Sequence, residues 1–397
     1  MLWAPSVIVA AFGSLHFQVL VSLVKDPFAI RDAARRRLPR MMFDFIDGGT
    51  GAEIAQAQNC AALERVQLLS RVLRNVDDVS LTTHFLGVTY GRPYGIAPMG
   101  MCNLIAPAAD NTLSDEAVRR EIPHCVSTAA SSTLEALFER SDGQAWFQLY
   151  AGSNDAFTFE LVDRARAVGY EHLILTVDAP RHSRRTRDLH NGFAVPLKWG
   201  VKQIVDFACH PRWSLSMLRV ARPVPMNYRT SRFATDFVRE DSRGATDWAF
   251  LERLREQWDR KLIVKGVMSP DDAARVKQIG CDAIYVSNHG GRQLDSVVPA
   301  ITMLPAIREA VGAEMPVIFD SGIRSADDIV RALACGANFV MLGRPILYAL
   351  GTGVPGEPSN FFDRLDADLL SVLAQVGATR VSEVAPDTLA PVSVEGI

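Results

Sequence analysis

Eight short apolar runs, separated by helical stretches, limit what this chain can fold into more than any other feature. The runs are near-continuous rather than alternating, which is typical of parallel strands covered on both faces. Eight such strands with helices between them predict an α/β fold of the closed (β/α)8, or TIM barrel, type. The predicted strands are Tyr94–Pro98, His124–Thr128, Trp146–Tyr150, His172–Asp178, Lys261–Gly266, Ala283–Asn288, Pro316–Gly322 and Asn338–Arg344.

The remaining stretches divide the chain around this barrel. We predict the barrel domain over 27–386, with a helical segment at its start and a long insertion at 197–246 after the fourth strand. Residues 387–397 form a tail and residues 1–26 an apolar extension. The first 24 residues carry no charge and could span a bilayer. Because proline, glycine and polar residues dilute this run, a packed helix or a disordered extension is the alternative.

Composition excludes several classes of function. Apolar residues make up 48% and charged residues 22% of the chain, as in soluble globular proteins. The net charge of −3 gives no electrostatic case for nucleic acid. The six cysteines lack Cys-x-x-Cys spacing, so we expect neither a metal site nor disulfides, and a reducing cytoplasm. Gly49-x-Gly51 is no dinucleotide fingerprint, since Ile54 takes the third glycine position and no strand precedes it.

The polar ends of the strands predict an active site. In a (β/α)8 barrel the catalytic groups lie at the carboxyl ends of the strands, and nearly every predicted strand ends in polar residues. After the sixth strand, His289 can accept a proton near neutral pH and Arg292 offers a planar fork of donors to a carboxylate. A lone histidine is more often structural than catalytic, and loops are polar in any case. The repetition at all the strand ends favours function.

Two strand ends predict a phosphate site. The runs 320–324 (Asp-Ser-Gly-Ile-Arg) and 343–345 (Gly-Arg-Pro) follow the seventh and eighth strands. Barrels bind phosphate there with loop amides, a helix N-terminus and a cation. Either motif alone could be a tight turn with a solvated arginine, but together they indicate a phosphorylated ligand or cofactor. Lys265, on the fifth strand, would need a partner if buried, and an anionic cofactor ring would be one.

These motifs resemble those of the FMN-dependent 2-hydroxy acid oxidases and dehydrogenases. Ser-Asn-His-Gly-Gly-Arg-Gln at 287–293 is that family's active-site signature. The resemblance extends from about Pro27 to about Pro386 and implies FMN as the cofactor and a homotetramer as the assembly. It also covers the motifs at 43–49, 97–100, 146–150, 175–178 and 264–266, together with the two phosphate motifs.

The resemblance implies a role for each matching residue. His289 would take a proton from the substrate, either from its α-carbon or from its hydroxyl as hydride leaves, and Asp178 would support the resulting imidazolium. Tyr150 would hydrogen-bond the substrate oxygen, while Arg292 and Arg185 would clamp its carboxylate. The residues expected to bind FMN are Pro98, Met99, Gly100, Ser127, Gln148, Thr176, Lys265, Ser287, Asp320, Gly322, Arg324, Gly343 and Arg344.

Three positions depart from the family pattern. Phe45 stands where the family usually has a tyrosine whose hydroxyl helps to bind the substrate carboxylate. A hydrogen bond to a charged group contributes about 1.5–3 kcal/mol, so its loss predicts roughly ten- to a hundredfold weaker carboxylate binding. Ala129 replaces the tryptophan of glycolate oxidase, which leaves room for a larger or aromatic substrate. Gly100 replaces the alanine of several oxidases, which favours an electron acceptor other than oxygen.

The insertion suggests where the protein acts. Residues 198–222 mix apolar side chains with five lysines and arginines, which is typical of a helix lying on an anionic membrane. The segment resembles that of the mandelate-oxidising family members, which is membrane-associated and passes electrons to quinone. A lid or a subunit contact would use the same pattern. Residues 223–246 predict an active-site loop. We expect a cytoplasmic protein with peripheral contact to the inner face of the cell membrane.

The sequence therefore predicts FMN-dependent oxidation of a 2-hydroxy acid to the 2-keto acid. The substrate is expected to be bulky or aromatic, like mandelate, and the acceptor a quinone or another oxidant. An oxidase of the same family that releases hydrogen peroxide is the alternative. From another class, a non-redox barrel that binds FMN or a phosphorylated ligand would not need the pair of His289 and Arg292.

Overall fold

A computed structural model describes residues 29–152, 154–195, 197, 200–220, 222–233 and 243–391. Eight parallel strands pair in the order β3-β10-β9-β8-β7-β6-β5-β4. A parallel bridge between Ile96 and His124 joins the two ends of this sheet, so the barrel closes. The strands are β1 (Thr83–Phe85), β2 (Val88–Tyr90), β3 (Tyr94–Ile96), β4 (Cys125–Ser127), β5 (Trp146–Leu149), β6 (His172–Thr176), β7 (Lys261–Val267), β8 (Ala283–Val286), β9 (Val317–Phe319) and β10 (Phe339–Leu342).

All eight predicted barrel strands are confirmed, and most end one to three residues earlier than expected. The difference falls mainly at the carboxyl ends, where the polar residues leave the hydrogen-bonded ladder and enter the βα loops. β7 is the exception, since it runs one residue longer than predicted. Side chains on these strands are almost entirely buried, which agrees with a parallel sheet covered on both faces.

Helices surround the barrel and three of them precede it in the chain. Helix Ile30–Arg37 confirms the predicted helical start, while the apolar extension 1–26 lies outside the described residues. No helix within the described ranges is long and apolar enough to cross a membrane. The α-helices are Ile30–Arg37, Arg40–Asp47, Ile54–Arg65, Ala109–Arg120, Leu134–Arg140, Asp155–Val168, Thr186–Asn191, Val201–Ala208, Pro211–Met217, Met226–Arg229, Trp248–Gln257, Pro270–Gln278, Ala300–Val311, Ala326–Ala334, Arg344–Thr352 and Glu357–Gln375.

A hairpin that the sequence analysis missed covers the amino ends of the strands. β1 and β2 pair antiparallel just before the barrel begins. The rings of Phe85 and Phe339, the latter at the start of β10, stack with their centroids 5.0 Å apart. The Trp146 indole of β5 donates to the Tyr90 hydroxyl at 3.1 Å. This end of the barrel is thus filled by aromatic side chains, and the opposite, carboxyl end is the open one.

The long insertion docks on the N-terminal helices instead of extending away from the barrel. The Asp206 carboxylate accepts the backbone N–H groups of Arg40 (3.0 Å) and Met41 (3.1 Å), which lie in the first turn of helix Arg40–Asp47. Trp213 is buried and its indole donates to the carbonyl of Ile105 at 3.1 Å. A carboxylate at a helix N-terminus satisfies amides that lack partners within the helix. The insertion therefore stabilises the helix that carries Phe45.

A bulge in β7 sets the geometry of the open end. The pairing with β8 shifts between Lys265 and Val267, and Gly266 adopts φ +105°. A Cβ atom at Gly266 would lie 2.5 Å from the Cβ of Asp178 and 2.9 Å from its backbone nitrogen. Glycine therefore permits both the left-handed conformation and the close approach of the neighbouring strand end.

We predict that Gly266→Ala destabilises the protein more than Gly280→Ala does. Gly280 also has a positive φ (+85°), but nothing lies within 4 Å of a Cβ atom there. The Gly280→Ala variant therefore measures the cost of the backbone strain without a steric contact. The contact with Asp178 should cost about 1–3 kcal/mol of unfolding free energy beyond that strain. Urea titrations of both variants measure the difference. Equal losses would show that the close approach carries no cost.

Candidate active site

A cavity opens at the carboxyl ends of the barrel strands, where the sequence placed the active site. Four of the predicted site residues, Asp178, Gln148, Thr176 and Ser287, lie behind its wall and contact residues that line it. The predicted residues that line the cavity are Phe45, Pro98, Met99, Gly100, Ser127, Ala129, Tyr150, Arg185, Lys265, His289, Arg292, Asp320, Gly322, Arg324, Gly343 and Arg344.

His289 is held between a carboxylate and a phenol. Its Nδ1 lies 2.9 Å from Asp178 Oδ1, and its Nε2 lies 3.3 Å from the Tyr150 hydroxyl. Burial alone would raise the pKa of Asp178, but the charges of His289 and Lys265 outweigh it and hold that pKa below its ordinary value. An ionised Asp178 accepts the proton on Nδ1, which leaves Nε2 of the neutral ring as the basic nitrogen facing the cavity.

The backbone of His289 takes an uncommon conformation to reach this position. His289, Gly290 and Gly291 have φ angles of +58°, +65° and +74° in succession. The Ser321 hydroxyl accepts the N–H groups of Asn288 (3.2 Å) and Gly290 (3.1 Å), which fixes the turn from the neighbouring strand end. A histidine in the left-handed region is strained, and such strain is retained where the surrounding structure over-determines it. The two glycines after His289 are therefore required by the turn.

The signature loop is also tied to the N-terminal helices. Asn288 and Asn59 exchange amide hydrogen bonds of 2.8 Å in both directions, and both side chains are buried. A reciprocal amide pair satisfies both groups and resists displacement. Asn59 lies on helix Ile54–Arg65 and was missed by the sequence analysis, because an isolated asparagine gives no signal of a partner more than 200 residues away.

Lys265 is a buried cation at the base of the cavity. Its Nζ donates to the Ser287 hydroxyl at 3.0 Å and lies 3.7 Å from Asp320 Oδ2. Burial acts to lower the pKa of Lys265, but Asp320 and Asp178 outweigh it, so that pKa lies above its ordinary value. Lys265 therefore remains charged at neutral pH, and an anionic group bound in the cavity would share it.

A buried hydrogen-bond chain crosses three neighbouring strands beside Lys265. Ser127 donates to Gln148 Oε1 at 2.9 Å, and Gln148 Nε2 donates to Thr176 at 3.0 Å. The chain fixes which end of the Gln148 amide points towards each neighbour. Gln148 and Thr176 thus support the cavity wall through Ser127, which lines it.

The predicted phosphate motifs meet at one end of the cavity. Arg344 begins helix Arg344–Thr352, so the start of this helix and a guanidinium line the cavity together with Arg324 and Gly322. Burial and the nearby charges of Arg324 and Arg292 lower the pKa of Arg344 to about 10. Among the described residues the buried Nε of Arg344 has no hydrogen-bond partner. Clustered cations, a helix N-terminus and an unsatisfied donor are the groups that a phosphate would bind.

The two arginines expected to bind a carboxylate both reach the cavity. Arg292 donates to the carbonyls of Gly48 (2.8 Å) and Phe45 (3.0 Å), which fixes its guanidinium against helix Arg40–Asp47. Arg185 lies 3.5 Å from Asp188 and its side chain is 15% exposed. Held by the protein in this way, both guanidinium groups are positioned before an anion binds.

The apolar part of the wall includes residues that the sequence did not reveal. Phe45 stacks on Phe193 with ring centroids 4.5 Å apart and an interplanar angle of 13°, and Val195 lies beside them. Ala129 leaves the opposite wall small, as predicted. Phe193 and Val195 follow Arg185 in the chain, and neither residue has a strand or turn signal of its own. Arg181 and His182 also line the cavity and were not predicted to do so, while Arg243, which lines it too, belongs to the predicted active-site loop 223–246.

Comparison with known proteins places the chain among enzymes. A family model described as FMN-dependent dehydrogenase matches residues 34–391. The chain is 36% identical over 362 residues to an L-lactate dehydrogenase of Pseudomonas syringae pv. syringae, covering 89% of this chain and 95% of the relative. It is 34% identical to an L-lactate dehydrogenase of Xanthomonas campestris pv. campestris, covering 95% and 99%.

Solved structures agree with the family match. The fold superposes on the monotopic membrane protein (S)-mandelate dehydrogenase with a TM-score of 0.87 at 33% identity, covering 92% of this chain and 98% of that one. It superposes on a mandelate oxidase with a TM-score of 0.78 at 30% identity, covering 92% and 97%. The cavity's buried lysine and cationic end fit FMN as the cofactor. The chain therefore belongs to the FMN-dependent dehydrogenase family.

Proposed function

We propose that the protein oxidises a bulky or aromatic 2-hydroxy acid to the 2-keto acid with FMN. One observation supports this most: the His289 and Asp178 pair opens into the same cavity as Arg185 and Arg292. A base beside two guanidinium groups suits a substrate that carries its reacting carbon next to a carboxylate. The relatives named lactate and mandelate dehydrogenases act on acids of this class.

The protein's own groups bind the substrate and move its proton. Arg185 and Arg292 hold the carboxylate, and the Tyr150 hydroxyl hydrogen-bonds the oxygen at C2. Nε2 of His289 takes one proton, from the α-carbon or from the hydroxyl, and Asp178 stabilises the imidazolium. Oxidation removes two electrons and two protons from the substrate, and His289 takes one of the protons. Bound FMN would accept the two electrons with the second proton, and the Lys265 cation would stabilise negative charge on it.

Three side chains support a large substrate. Ala129 leaves space, and the stacked rings of Phe45 and Phe193 offer an apolar face on which an aryl group could pack. Aromatic pairs at this spacing contribute about 0.5–1.5 kcal/mol beyond the area they bury. A small acid such as glycolate would leave this face uncovered, so aryl acids should bind more tightly.

The decisive experiment is anaerobic reduction of the FMN by a panel of 2-hydroxy acids. Mandelate should bleach the flavin absorbance faster than lactate or glycolate. In His289→Ala, the rate of bleaching should fall by about 10²–10⁴-fold, because the general base is missing. The matched control is His84→Ala, since His84 is exposed in the hairpin at the opposite end of the barrel from the cavity. A protein that keeps its FMN yet is bleached by no 2-hydroxy acid would refute the proposed function.

The pH dependence of kcat/KM should report His289. Burial lowers the pKa of His289 below its ordinary value of about 6.5, although Asp178 opposes this shift. Because the neutral ring is the base, kcat/KM should rise with pH through a pKa below this ordinary value and then level off. Asp178→Asn should lower the plateau by about 10²–10⁴-fold and move the acid limb to lower pH. An acid limb above pH 7 in the wild-type enzyme would contradict this assignment.

We further infer that the protein rests on a membrane surface and passes electrons to a quinone. Buried Phe207 and Trp213, with centroids 5.2 Å apart, fix the insertion helices, while several apolar side chains point outwards. The sequence had counted Trp213 among the amphipathic residues, whereas its indole faces inwards; Lys198 and Trp199 lie outside the described residues. The outward set is Val201, Ile204, Val205, Leu215 and Leu218. Assembly as a homotetramer stays a prediction.

Vesicle binding tests this surface. Val201→Ser combined with Leu218→Ser removes the two most exposed apolar side chains among the described residues of the insertion, which are 80% and 79% exposed. Binding to vesicles that contain anionic lipid should weaken by about tenfold or more, since each side chain would bury apolar area in the interface. Val72→Ser with Leu73→Ser is the matched control, because both are exposed on a distant loop. Equal binding by the two double variants would favour a lid or subunit contact.

A further inference from the structure

The mouth of the cavity holds more positive charge than one carboxylate needs. Arg185 and Arg292 already supply the clamp of the proposed reaction, and Arg243 also lines the cavity. Arg243 lies near the end of β6, where its backbone N–H donates to the carbonyl of Pro180 at 2.9 Å. A guanidinium stays protonated throughout the physiological pH range. Arg243 is therefore a permanent charge at the mouth.

Arg243 stacks on the phenol that faces the base. Its Cζ lies 4.7 Å from the centroid of the Tyr150 ring, and the Tyr150 hydroxyl is 3.3 Å from Nε2 of His289. Stacking on an aromatic face uses the face of the guanidinium and leaves its N–H edge able to donate. The group is thereby held beside the position of the reacting oxygen and carboxylate, and no acceptor among the described residues binds its side-chain N–H groups.

The chain lacks a donor at another point of the same site. Phe45 has no hydroxyl and stacks on Phe193, while Arg292 directs two N–H groups to the carbonyls of Gly48 and Phe45. A bound carboxylate thus loses the hydrogen bond that a tyrosine at 45 would supply. Each charge-assisted hydrogen bond that is lost weakens binding by about ten- to a hundredfold.

We propose that Arg243 binds the substrate carboxylate as a third cation and replaces the donor that Phe45 lacks. This inference rests on the proposed function. It assigns Arg243 to substrate binding and makes the enzyme selective for anionic 2-hydroxy acids over their neutral amides. Because the contact forms with substrate and product alike, it acts on binding more than on the chemical step.

Equilibrium titration with the product-like acid benzoylformate, followed through the flavin spectrum, separates binding from turnover. Arg243→Met keeps the backbone N–H and most of the side-chain volume but removes the charge. Its Kd for benzoylformate should rise by about ten- to a hundredfold. KM for mandelate should rise similarly, with kcat changed only a few-fold. Arg243→Lys should recover part of the affinity, and Arg275→Met, which removes a guanidinium that stacks on Trp248 outside the cavity lining, should change Kd less than threefold.

A double variant tests the replacement itself. Phe45→Tyr should improve binding of benzoylformate more in Arg243→Met than in the wild-type protein, because both groups serve the same carboxylate. A loss in Arg243→Met that is equal for mandelate and the neutral 2-hydroxy-phenylacetamide would assign Arg243 to loop structure and overturn the proposal, as would an unchanged Kd. If the wild-type protein neither binds benzoylformate nor is bleached by any 2-hydroxy acid, the proposed function itself fails.

Discussion

The charge on Lys265 is the constraint on which the rest of the barrel mouth depends. A lysine buried in a closed barrel keeps its proton only if carboxylates are held near it, and Asp320 and Asp178 do so from the ends of β9 and β6. Asp178 in turn stays ionised because Lys265 and His289 lie beside it. The buried cation therefore helps His289 to hold the adjacent carboxylate in its ionised form. The three groups form a single electrostatic unit, and exchanging any one of them would change the protonation of the others.

Much of this unit could be predicted because a parallel barrel brings residues that follow its strands to the same end of the fold. Eight buried parallel strands place their carboxyl ends on one rim, so Lys265, His289 and Asp178 had to converge once the strands were recognised. Seven of the eight barrel strands fell within the predicted runs because apolar side chains fill both faces of the sheet. What the sequence could not supply were contacts set by tertiary packing. Neither the aromatic hairpin under the barrel nor the Asn59 and Asn288 pair has a local pattern that reveals its partner.

Orientation was harder to predict than location. Trp213 belongs to the amphipathic stretch 198–222, and its sequence did not show which of the apolar side chains face outwards. The Trp213 indole faces inwards and donates to the carbonyl of Ile105. Phe193 likewise has no strand or turn signal, yet its ring completes the wall against Phe45. Both cases follow from one physical cause. A long apolar side chain at an element's edge packs where a neighbouring surface has space, and that space is created by residues far away in the chain.

The insertion couples the outer surface of the protein to the substrate side of the cavity. Asp206 caps the helix that carries Phe45, and in the same segment Val201, Ile204 and Val205 face outwards. Gln203 donates to the carbonyl of Asn191, whose side chain binds Asp44 on that same helix. A membrane surface that stabilises the insertion would therefore also stabilise helix Arg40–Asp47, in which the carbonyl of Phe45 accepts a hydrogen bond from Arg292. Contact with a membrane and binding of a carboxylate would then stabilise the same packed elements, and each would favour the other by linkage.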